Sequence, residues 1–197
     1  TWSGWFLKDV SDMLNDIAKK YDIDRIILAG PEEITAELHR VMPRSVASRV
    51  VDRLRMPANA KAKEVFELAQ PAIKKIEREQ ESRIVGDLIT SASKAKTPDR
   101  AVLGFSATLN AINQGRAYRL IYSSGLTMAG YRCKSCEALL DHAPEDNNCP
   151  YCSKQLDQRD DLVWLTLERV LNMAGSIEEI RSEDVRAQLN TAGKIGA

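Results

Sequence analysis

The chain has 197 residues, 28 basic and 28 acidic side chains and therefore no formal net charge, and 44% of it is hydrophobic. That balance excludes a histone-like nucleic-acid binder and an intrinsically disordered chain, and the length suits one large domain or two small ones. No apolar run approaches the ~18 residues of a membrane span, and Thr1-Trp2-Ser3-Gly4-Trp5 has neither part of a secretory signal, so a cytoplasmic protein is expected, cut from something longer because no Met starts it.

A helix is expected over residues 3–21, with Ser3 as its N-cap and Phe6, Val10, Met13, Leu14, Ile17, Ala18 and Tyr21 as its apolar stripe. Arg25-Ile26-Ile27-Leu28-Ala29, stopped by Gly30-Pro31, has the form of a buried strand. Pro31 then opens a helix with Ile34, Leu38 and Val41 inward, and residues 50–54 form a second strand. Residues 60–92 read as one long helix that Pro71 should kink or divide. Its alternating charges over 74–83 suit a solvated face.

The polar stretch 91–99 predicts a boundary, with domains over 1–95 and 96–197. Beyond it come a short strand at Val102-Leu103, a helix over 107–114 capped by Gly115, and a strand over 118–122. A helix over 161–173 is closed by Gly175, with Leu162, Leu165, Val170 and Leu171 inward, and a strand follows over 176–180. Strands alternating with helices imply α/β architecture with parallel or mixed sheets.

All four cysteines, Cys133, Cys136, Cys149 and Cys152, fall in the inserted segment 131–156 as two CxxC pairs. Four thiolates on two knuckles suit one tetrahedral zinc ion, and a full thiolate shell leaves no open position for catalysis. Two disulfides would need an oxidising compartment. Redox chemistry normally uses one CxxC at a helix start. His142, between the knuckles, reads as an exposed loop residue, and His39, late in a helix, as a surface one. Neither histidine has a catalytic context, and the phosphate-binding GxxxxGK and GxGxxG motifs are absent.

Charge is segregated. Residues 39–56 carry Arg40, Arg44, Arg49, Arg53 and Arg55 against Asp52, a net +4, whereas residues 141–161 carry a net −4. The arginines could contact RNA phosphate, or protect an exposed strand edge by charge.

The order of motifs resembles the archaeal and eukaryotic class 1 peptide chain release factors. Asp24-Arg25-Ile26-Ile27-Leu28-Ala29-Gly30-Pro31 is similar to the LVLAGP strand and turn of their middle domain, and Val50-Val51-Asp52 stands at the place of their next strand. Leu103-Gly104-Phe105, with Thr108-Leu109-Asn110-Ala111-Ile112-Asn113-Gln114-Gly115, is similar to the entry of their third domain. Archaeal members insert a CxxC…CxxC ribbon where Cys133 to Cys152 stand, and Gly193-Lys194-Ile195-Gly196-Ala197 resembles the start of their closing strand. The divergent sequence looks most like the bacterial branch.

The resemblance implies a partial ribonuclease-H-like middle domain. It also implies an α/β/α third domain with the fold of kink-turn-binding ribosomal proteins. The family's GGQ tripeptide, which promotes peptidyl-tRNA hydrolysis, is missing from these residues. A docking module without its own catalytic motif is therefore expected, with the ribosome, a translational GTPase or the recycling ATPase as partner. A free-standing zinc-ribbon RNA-binding protein and a thiol oxidoreductase are the rivals.

Overall fold

The computed structural model describes residues 2–94 and 100–197. Its contacts divide the chain into two compact units, Thr1–Ile76 and Glu77–Ala197.

The first unit opens with α1 (Trp2–Lys20). Ser3 lies inside this helix, not at its cap. The buried stripe is Leu7, Ser11 and Ala18, with Val10 and Leu14 half-buried, and Phe6, Met13 and Tyr21 of the expected stripe are exposed. The reason is that Leu7, Ser11, Leu14 and Ala18 share one helix face at four- and three-residue spacings, and the hydroxyl of Ser11 hides that face from a reading by hydrophobicity.

Strand β1 (Ile26–Gly30) pairs in parallel with β2 (Val50–Arg55), and α2 (Glu32–Val41) and α3 (Arg44–Ala47) form the crossover. The core of this unit joins Leu7, Leu28, Leu38, Met42 and Val46. Ile34 and Val41, expected inside, are exposed, and Thr35 is buried in their place, its hydroxyl donating to the carbonyls of Pro31 and Glu32.

Helix α4 (Ala62–Ser93) runs through Pro71 undivided. The units part within α4, between Ile76 and Glu77, and not at residues 95–96; residues 95–99 lie outside the described ones. Packing explains this. Val85 and Leu88 are buried in the core of the second unit, so burial takes the last turns of α4 with it.

The second unit is a sheet in the order β7-β3-β8 between two helical layers. The strands are β3 (Arg119–Ser123), β7 (Ser176–Ile180) and β8 (Ile195–Gly196). β3 pairs in parallel with β7 and antiparallel with β8, so the sheet is mixed. Successive strand residues point to opposite faces. Ile121 accordingly packs with Val85, Leu88, Val185 and Leu189, while Leu120 packs with Ile112, Val170 and Ile195. The layers are α4 with α7 (Glu183–Thr191), and α5 (Phe105–Asn113) with α6 (Val163–Asn172).

Val102-Leu103 is no strand; Leu103 makes a single bridge to Gly196. Gly115 closes α5 as expected: at φ 68 it lets its own N–H reach Ile112 O and the Arg116 N–H reach Ala111 O. Helix α6 closes differently. Ala174 takes the left-handed position at φ 58, and Gly175 is required because a Cβ would stand 2.9 Å from Val170 O. Leu162 and Val170 are fully buried, but Leu171 is exposed.

Helix α7 is an element the sequence reading lacks. Its Val185 and Leu189 are buried one turn apart, and Glu183 and Asp184 stand in its first turn. No helix among the described residues is long and apolar enough to cross a membrane.

Candidate metal centre

From β3 the chain leaves the sheet and forms a small antiparallel one in the order β5-β4-β6, from β4 (Gly130–Cys133), β5 (Leu139–Leu140) and β6 (Leu156–Arg159). Gly130 is needed there because a Cβ would meet Leu140 O at 2.3 Å, closer than any side chain could yield.

Both CxxC pairs make the same turn. The Cys133 N–H donates to Ala138 O at 2.9 Å and the Glu137 N–H returns to Cys133 O at 2.9 Å. In the second knuckle the Cys149 N–H donates to Lys154 O at 2.7 Å, and the Ser153 N–H to Cys149 O at 2.8 Å. Glu137 and Ser153, each four residues after its first cysteine, hold positive φ angles of 63° and 59°.

The four sulfurs lie within 4.8 Å of one another. Cys133 Sγ and Cys152 Sγ are 3.4 Å apart, and Cys136 Sγ and Cys149 Sγ 3.5 Å. All four thiols are free, so the two disulfides considered from sequence are not formed. Metal–sulfur bonds of ~2.3 Å in a tetrahedron would set sulfurs roughly 3.8 Å apart, so this donor set fits one zinc ion with little adjustment. The Cys136 backbone N–H, outweighing burial, draws the Cys133 thiol down to about 6, whereas burial pushes the Cys136 thiol up to about 12. Cys133 and Cys149 are buried and the other two half-buried.

The ribbon is tied to the body of its unit by side chains that spacing did not single out. The Asn113 amide donates to Leu139 O at 2.7 Å and accepts the Leu139 N–H at 3.0 Å, so it completes the open edge of β5 as a neighbouring strand would. Arg169 Nη1 donates to Glu137 O at 2.5 Å. Tyr151, in the second knuckle, donates to Asn110 Oδ1 at 3.0 Å. The only advance sign of these roles is that Asn110 and Asn113 are amides on a mostly apolar helix.

His142 is outside the sulfur cluster, exposed, with Nδ1 2.7 Å from Asp141 Oδ1. His39 Nε2 lies 3.3 Å from Ala47 O. The five arginines are dispersed: Arg40 on α2, Arg44 on α3, Arg49 in the turn before β2, and Arg53 and Arg55 on β2. Arg49 is turned into its own unit, donating to Ala18 O and Ile23 O at 3.4 and 2.6 Å. Arg40 and Arg55 form exposed pairs with Glu37 and Glu32, and Arg44 and Arg53 are exposed.

Residues 1–74 match the model of bacterial archaeo-eukaryotic release factor family 10. The match covers most of the first unit, whose residues are thus similar to the bacterial branch of the archaeo-eukaryotic release factors. A similar solved structure is archaeal Pelota from a model of the ribosome-bound protein with ABCE1, at 13% identity and a TM-score of 0.63 over 98% of this chain and 47% of that one. Archaeoglobus fulgidus Pelota matches at 13% identity and a TM-score of 0.45, over 95% of this chain and 52% of that one. The C-terminal domain of a peptide chain release factor from Methanosarcina mazei matches at 20% identity and a TM-score of 0.44, over 71% and 95%. The chain spans about half the length of the Pelota chains it matches. At 13% identity and a TM-score of 0.63, the likeness to ribosome-bound archaeal Pelota is one of fold. No curated protein sequence matches the chain.

Proposed function

We propose that this chain is the docking half of a release-factor-like translation protein that acts at the ribosome, in termination, rescue or a related step. The observation that carries the reading is the fold shared with archaeal Pelota over 98% of the chain, together with the family match at residues 1–74. The partner is the ribosome itself or an NTPase of the translation cycle, either a translational GTPase or the recycling ATPase. The chain has no hydrolytic activity of its own, because the GGQ tripeptide is missing from its residues.

One zinc ion is held by Cys133, Cys136, Cys149 and Cys152, a donor set whose mutual distances suit a tetrahedron. The ion would stiffen the two knuckles and leave no site for an attacking water.

Co-sedimentation of the chain with ribosomes, with and without the two NTPases, tests the reading. Pelleting with ribosomes, or retention by one NTPase, is expected. Neither would remove the docking role. Release of peptide from peptidyl-tRNA by the chain alone would overturn the non-catalytic assignment. Metal analysis should find about one zinc per chain, and thiols that react without metal removal would instead favour an oxidoreductase.

A further inference from the structure

Helix α5 and the ribbon enclose an open groove of about 450 Å³. Ala107 and Leu140 give it apolar lining, and Asp141, Asn110 and the half-exposed Tyr151 ring stand along it. We infer that this groove is an interaction surface for a basic protein segment, one that seats an apolar side chain and sets a Lys or Arg beside Asp141. The inference rests on the docking role proposed above and locates it.

Charge complementarity favours that occupant. Residues 141–161 carry a net −4. Three of the four basic residues from β4 to β6 are used there: Arg132 pairs with Glu137, and Lys134 and Arg159 pair with Asp157. Asp141 has no Lys or Arg partner among the described residues. Its carboxylate accepts from Ser106 and His142, and these bonds, against the opposing effect of burial, hold it below the ordinary carboxylate range. An ionised carboxylate beside apolar lining attracts a cation with an aliphatic stem and repels phosphate. The same charge disfavours RNA at this place.

The groove can be altered without touching the core, because Ala107 is exposed. The test uses the intact, isotope-labelled chain and a synthetic peptide built of Lys and Leu. Amide shifts are expected at Asn110, Leu140, Asp141 and Tyr151, lost in Ala107→Trp and reversed by salt. Asp141→Asn should weaken binding about tenfold, the scale of one charge-assisted contact. Shifts spread evenly over acidic surface, equal binding of a Glu and Leu peptide, or displacement by single-stranded RNA would each overturn the inference. Co-sedimentation of Ala107→Trp separates the two claims. If that variant still binds ribosomes or an NTPase undiminished, docking stands and the groove does not carry it.

Discussion

At the residue scale, the second unit depends on polar side chains that finish what the backbone leaves open. Glu81 of α4 accepts the Arg181 and Ser182 N–H groups at 3.0 and 2.8 Å, which caps α7 from another element. Arg78 meets Asp184 through two nitrogens, and that pair holds the Asp184 carboxyl below its usual range. A depressed folded value means that the contribution to stability is complete above the unfolded carboxylate value of about pH 4, and is lost as pH falls through the folded one. Asp184→Asn should therefore lower the thermal midpoint near neutrality, and the gap to the parent protein should close as pH falls below the ordinary carboxylate range. The pair is exposed, so salt should narrow the gap as well. A gap independent of pH would refute the linkage. Asn113→Ala leaves both polar groups of Leu139 without the amide, and should cost about 1–3 kcal/mol in chemical denaturation, with faster amide exchange across β5.

At the element scale, the ribbon has little core of its own. Its own core cluster is Cys133, Ala138, Cys149 and Leu156, half of them thiols. The knuckles therefore hold their shape through the sulfurs, whereas the root of the ribbon is held by Leu109, Met128, Leu139 and Leu162. With zinc bound, chelation should strip amide protection from residues 133–153 and spare β3 and β7. Loss of protection throughout the second unit would show that the ion supports the whole sheet. Helix α4 shows the converse case. Pro71 costs it a hydrogen bond, yet the helix runs on through it to turns that bury Val85 and Leu88.

At the scale of the molecule, two cores lie on one chain. Leu88→Ala removes a buried side chain from the second core, and should cost about 2–5 kcal/mol there. Hydrogen exchange should quicken in β3 and α7 and stay unchanged in β1. Equal quickening in β1 would mean that the two units unfold as one.

The sequence alone determined the features that rest on local chemistry. Gly30-Pro31 ends β1 because proline cannot continue it, and Gly115 closes α5 because only the left-handed backbone lets the next N–H groups turn back. Two CxxC pairs brought four thiols to one place because each knuckle repeats the same short turn. The strand and turn at Asp24 to Pro31 also pointed to the bacterial release-factor family whose model residues 1–74 match. Tertiary structure decided what depends on partners distant in sequence. Which face of α1 is buried, with Ser11 inside and Phe6 outside, is set by the packing of the first unit's core. The division within α4 is set by where Val85 and Leu88 find neighbours. Helix α7 did carry a local pattern, with Glu183 and Asp184 ahead of Val185 and Leu189, whereas the Asn113 clamp has none, because Leu139, which completes it, stands many residues away.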